Sequence, residues 1–180
     1  MRFMTIALAA AAATALPGLA AAAPAFDAFR QICGDTRADY PAVVKAANAG
    51  GWAATDVKAE MMEGVVVSAQ VSRSKTVAGD KLVLQTWTGL KGAYKITACT
   101  VRAPNSKTDE IKAAVQAWVG FVPQASDPKS ITFRFADEAG ARRALTQADY
   151  DTAAAGPGLE MLTVSNDGTD TIIDLLNIKK

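Results

Sequence analysis

The chain has 180 residues, of which 50% are hydrophobic, 21% charged and 7% aromatic, and its 19 basic and 18 acidic side chains give a formal charge of +1. That is one domain's worth of chain, and the composition excludes a disordered, collagen-like or coiled-coil protein. Histidine is absent, which removes Ser-His, Cys-His and His-metal chemistry together.

Residues 1–22 have the three-part layout of a secretory signal peptide. Arg2 precedes an apolar run from Phe3 to Leu16, and small residues follow Pro17 and Gly18. Ala20-Ala21-Ala22 offers small side chains to a signal peptidase, so cleavage is expected after Ala22. The run is Ala-rich and weakly apolar, short of the roughly 20 strongly apolar residues of a spanning helix. No stable membrane insertion is expected after cleavage. Residues 23–180 then form a single domain, with 18 basic and 18 acidic residues once Arg2 is lost. That balance disfavours a nucleic-acid binder.

The first predicted helix spans Pro24 to Cys33, where Phe26, Phe29 and Cys33 share one face. A second runs from Ala38 to Ala49, with Asp35, Thr36 or Asp39 as its cap, Pro41 in the first turn and Gly50-Gly51 as its stop. Residues 55–64 fit either a helical turn or an irregular connection. From Val65 to Val71 the pattern alternates, with Val65, Val67, Ala69 and Val71 on one side. Lys81–Thr88 and Ala93–Val101 are two further strands, joined by the turn residues Gly79-Asp80 and Lys91-Gly92. Three strands with short turns make an antiparallel meander.

Asn105 to Gly120 reads as a helix. Ser106 is its cap, Asp109 and Glu110 lie in its first turn, and Ile111, Val115, Trp118 and Val119 share one face. Ile131–Ala136 is a strand. Ala139–Thr146 reads as a short helix and Ala153–Gly158 as a loop. Leu159–Val164 and Thr171–Ile178 are strands joined by an Asn166-Asp167-Gly168 turn. The expected fold is α+β. Two N-terminal helices precede the meander, a helix follows it, and three further strands extend one twisted antiparallel sheet, with the helices covering one face. The expected core includes Phe29, Val43, Trp52, Val67, Leu84, Ile96, Ile111, Val115, Trp118, Phe133, Leu162 and Ile173.

Cys33 and Cys99 are the only cysteines, and an exported address predicts that they bridge. The resulting loop of about 67 residues is worth roughly 4 kcal/mol in the chain-entropy account. The hairpin turn does not fit a calcium loop, because Thr163 holds the first ligand position and Asp174 stands where the closing Glu belongs. Neither metal nor other cofactor is implied. Asp109-Glu110 and Asp137-Glu138 are sequence neighbours and point apart, unlike a glycosidase pair. Arg30 and Arg37, or Arg142 and Arg143, are pairs suited to a carboxylate or phosphate or to a solvated surface.

Basic residues gather in the meander at Arg73, Lys75, Lys81, Lys95 and Arg102, whereas eight carboxylates lie between Asp137 and Asp174. The two groups either neutralise each other or leave a basic face for an anionic partner, such as an envelope component or another exported protein. The expected function is that of an exported, non-catalytic binding protein. The alternative is a small histidine-free envelope enzyme using Asp, Lys, Ser or Tyr. Intact-mass measurement on protein recovered from the cell envelope is expected to find a chain beginning at Ala23. A chain retaining Met1 overturns the signal-peptide reading.

Overall fold

The computed structural model describes residues 23–56, 62–104, 108–138 and 140–180. The proposed signal peptide, the Ser106 cap and half of the ambiguous 55–64 connection lie outside those residues.

Helix α1, Pro24–Phe29, has proline in its first turn and runs on through a wider π-helical stretch, Arg30–Gly34. Gly34 ends it where Trp118 leaves no room, since a Cβ there would meet the indole at 2.9 Å. Helix α2, Tyr40–Ala49, begins where Asp39 accepts the Ala42 N–H at 3.1 Å. The short β1, Ala53–Ala54, precedes the long strands β2, Val66–Val77, β3, Asp80–Lys91, and β4, Tyr94–Pro104. Helix α3, Thr108–Val119, is followed by β5, Ala125–Ser126, β6, Ser130–Glu138, and β7, Ala141–Ala144. Helix α4, Tyr150–Ala155, leads to β8, Leu159–Asn166, and β9, Asp170–Lys179.

The fold is α+β, and the strands form one antiparallel sheet in the order β1-β2-β3-β4-β9-β8-β6-β5, with β7 also on β6. Helices α1, α2 and α3 pack on one face of it. Phe29, Val43, Ile111 and Val115 meet Leu84, Val101, Phe133, Leu162 and Ile173 there, all fully buried. Cys33 and Cys99 form a disulfide with Cα atoms 5.5 Å apart, and the bridge pins the π-helical stretch to β4.

Three expectations need correction. The first concerns the helix expected over Ala139–Thr146, where Ala141–Ala144 is a strand. Tight turning at Gly140, whose N–H donates to Asp137 at 2.9 Å, folds β7 back on β6. Pairing with an existing sheet edge here outweighs the helix preference of alanine. Helix instead forms at Tyr150–Ala155, inside part of the expected loop, behind a capping box between Thr146 and Asp149. The second correction is to Val67, which does not share a face with Ala69 and Val71. A bulge between Val67 and Ala69 inserts one residue, and that reverses the alternation. The third is to Val67 and Ile96, which leave the main core. Ile96 is buried in a second apolar cluster with Trp87, Ala98 and Leu176, on the sheet face away from α1–α3, and Val67 packs against it.

The disulfide holds the helical layer against the sheet. Removing it with Cys33→Ala and Cys99→Ala together is expected to cost about 4 kcal/mol. Urea unfolding of the two proteins checks this, and an unchanged midpoint contradicts it.

Candidate functional site

Antiparallel register fixes what lies on the face that α1–α3 leave uncovered. Along the central pair β4 and β9, the directly opposed residues are Ile96 and Ile178, Ala98 and Leu176, Thr100 and Asp174, and Arg102 and Ile172. Gln85 and Trp87 project on the same side from β3, opposite Thr100 and Ala98. Thr163 stands opposite Asp174 from β8. The face therefore changes along the strands, from apolar at the Ile96 end to polar at the Arg102 end.

Helix α4 stands over the apolar end. Ala153 and Ala154 pack on Ala136 and Leu159, with Tyr94, Tyr150 and Ile178 around them. A depression of about 560 Å³ lies there, lined by Met62, Tyr94, Ile96, Tyr150, Leu159 and Ile178. The Tyr94 hydroxyl donates to Asp151 at 2.9 Å and ties β4 to α4, and that bond raises the phenol above its ordinary pKa. A second depression, of about 330 Å³, continues from Met62 towards the polar end, over Gln85, Trp87, Thr100, Arg102 and Asp174.

Asp174 is the chemical centre of this second depression. Its residue is half-buried and lines the hollow. The Thr100 hydroxyl donates to its Oδ1 at 2.6 Å. Every fully buried side-chain oxygen among the described residues has a partner, so Oδ2, which has none, reaches the cavity. Desolvation pushes the carboxyl up from its ordinary value, against the pull of Thr100 and Arg102. Arg102 is itself held by Asp167 at 3.4 Å.

The strand alternation divides the five basic residues of the meander. Arg73 and Lys75 lie opposite Leu84 and Leu82, on the helix side of the sheet. Lys75 donates there to the Gly50 carbonyl at 2.8 Å. Lys81 and Arg102 fall on the other side. Lys95 stands directly opposite Lys179 and, with Arg37 and Thr97, lines a separate depression of about 180 Å³ on the helix side. These residues do not form one basic face.

The paired arginines grip carboxylates within the molecule. Arg37 donates from Nε to the buried Glu160 at 2.6 Å and from NH2 to the Pro157 carbonyl at 3.2 Å. Burial pushes Glu160 up from its ordinary value, and the adjacent guanidinium offsets part of that rise. Arg142 lies over the Trp118 ring, 3.8 Å from its centroid, and 3.9 Å from Asp137. The C-terminal hairpin turn spends its acids on its own backbone, with Asp167 accepting from the Thr169 and Asp170 N–H groups at 2.9 and 2.8 Å.

The sequence reading passed over Gln85, Trp87 and Thr100, and weighed Asp174 only as a position of a calcium loop. One signal was present: Asp174 interrupts the apolar run Ile172-Ile173-Asp174-Leu175-Leu176. A carboxylate inside a strand buried on both faces is costly unless something answers it. Compared with known proteins, the chain matches no family model, no curated sequence and no solved structure.

The raised pKa carries a sign. Between the ordinary aspartate range and the higher native value, the folded state binds more protons than the unfolded state at Asp174, so stability falls as pH rises through that window. Asp174→Asn keeps an acceptor for Thr100 and removes the buried charge. It is expected to melt higher than the parent at pH 7, with the difference shrinking as pH falls through that window and levelling off below about 4. Melting curves across pH check this, and a variant that melts lower at pH 7 refutes it.

Proposed function

We propose that the protein is an exported, non-catalytic binding protein whose ligand lies on the sheet face opposite α1–α3. One observation carries this reading. That face holds two adjoining depressions that share the Met62 wall, and a desolvated carboxylate oxygen opens into one of them. Ligand sites are concave and mostly apolar, with a few placed polar groups. A folded domain keeps a half-desolvated carboxylate at a cost in stability, and sites that bind trade stability for function in this way. The disulfide is consistent with an oxidising location outside the cytoplasm.

A small-molecule screen by two-dimensional NMR tests the reading. Hits are expected to shift the Trp87 indole and the backbone signals of Thr100 and Leu176. Thr163→Trp, which fills the hollow from β8, is expected to abolish them. Hits that move only the helix-side residues Val43 and Val115 overturn the assignment of the face. Recovery of the ligand chemically altered overturns the non-catalytic reading and favours a histidine-free enzyme.

A further inference from the structure

We propose that the ligand of this face is a hydrophobic amine, with its ammonium against Asp174 and its apolar body running over Met62 towards Ile178 and Tyr94. The inference rests on the open face being the ligand seat and adds the chemistry of the occupant.

Length and polarity come from the register. Thr100 and Ile96 project from the same side of β4 and are four residues apart, about 14 Å at the rise of an extended strand. Over that distance the opposed pairs change from Thr100 and Asp174, through Ala98 and Leu176, to Ile96 and Ile178. Ile96, Ala98 and Leu176 are themselves buried, so a molecule lying along the strands meets the carboxylate at one end and, beyond it, the half-buried Met62, Ile178 and Tyr94 that pack over them. The apolar depression under α4 continues the path past Ile178 to Tyr94 and Leu159.

The sign of the head group follows from the charges. Among the described residues, no cation lies within ion-pair distance of Asp174. Its only direct partner is the Thr100 hydroxyl, on one oxygen. Arg102 stands diagonal to Asp174 on the same face and pulls on it only through space, and its guanidinium is held by Asp167 at 3.4 Å. An anionic head would meet the open oxygen of Asp174 at close range and be repelled. An uncharged head would desolvate that oxygen without a counter-charge, and such burial is costly. An ammonium supplies both the charge and up to three donors.

Four probes separate the parts of the proposal: decylamine, decanoate, decanol and butylamine. Each is titrated below its micellar concentration into the disulfide-bonded protein at pH 7, by calorimetry and by the shift of the Trp87 indole signal. Decylamine is expected to bind at least tenfold more tightly than decanoate, decanol or butylamine. Asp174→Asn is expected to weaken decylamine at least tenfold and to remove its preference over decanol. Ile178→Gln is expected to weaken decylamine and decanol alike. Decanoate binding as tightly as decylamine, or an Asp174→Asn protein that keeps the amine preference, overturns the assigned head group. Butylamine binding as tightly as decylamine overturns the apolar arm. Decanol shifting Trp87 without any preference for the amine removes the ligand class and leaves the seat intact. No shift of Trp87 with any probe removes both.

Discussion

Strand β9 is the last in the chain, and it pairs with β4 over ten residues, from Lys95 opposite Lys179 to Pro104 opposite Asp170. Without that ladder the meander β2–β4 and the group β6–β8–β9 are two small sheets, each with an unpaired edge. Small sheets are marginal alone, because each has too little apolar surface to bury. Joined, they make one platform wide enough for three helices. The same register sets Cys99 beside Leu175 under the helices and Thr100 beside Asp174 on the other face. Core, disulfide and cleft all depend on this pairing. It also opposes Lys95 to Lys179, and like charges directly across a sheet cost some stability.

The two faces solve different problems. The helix side is filled by Phe29, Leu84, Ile111, Phe133 and Leu162, all fully buried, and edge-to-face contacts of Trp118 with Phe26 and Phe29 close its margin. Burial at about 25 cal/mol per Å² makes this layer the main source of stability. Among the described residues, α4 covers one end of the other face. Trp87, Ile96, Ala98 and Leu176 are shielded by one another and by half-buried neighbours such as Met62 and Val67. The half-buried Met62 that covers them also lines both depressions, and the carboxylate in one of these gives the face a direction.

At the other end of the helix layer, polar groups replace the apolar core. Arg37 and Ala38 both have positive φ, 53° and 55°, which few non-glycine residues adopt. The Arg37 side chain is held by Glu160 and the Pro157 carbonyl, and Asn177 donates to the Arg37 carbonyl at 3.2 Å. These bonds fix the link between α1 and α2 onto β8 and β9. A strained backbone persists where its surroundings over-determine it, and here a buried ion pair does so. The pair does not offset the full cost of burying Glu160, whose carboxyl stays above its ordinary value.

The sequence by itself determined the pieces whose signals are local. Apolar spacing and caps marked α1, α2 and α3, alternation marked the meander, and Asn166-Asp167-Gly168 marked the last hairpin. Two cysteines in an otherwise cysteine-free chain marked the bridge. Only the tertiary structure decided the rest, because the deciding contacts join residues far apart in sequence. The extra residue of the β2 bulge, read nowhere in the alternation, moved Val67 to the other face. An available edge on β6 turned the Ala-rich segment after Glu138 into a strand. The basic residues of the meander looked like one patch in sequence, but the period-two geometry of strands sent Arg73, Lys75 and Lys95 to one side and Lys81 and Arg102 to the other. Asp174 lies 74 residues from Thr100, and only antiparallel pairing brought them to 2.6 Å. The cleft has no local signature because none of its walls is complete within one strand.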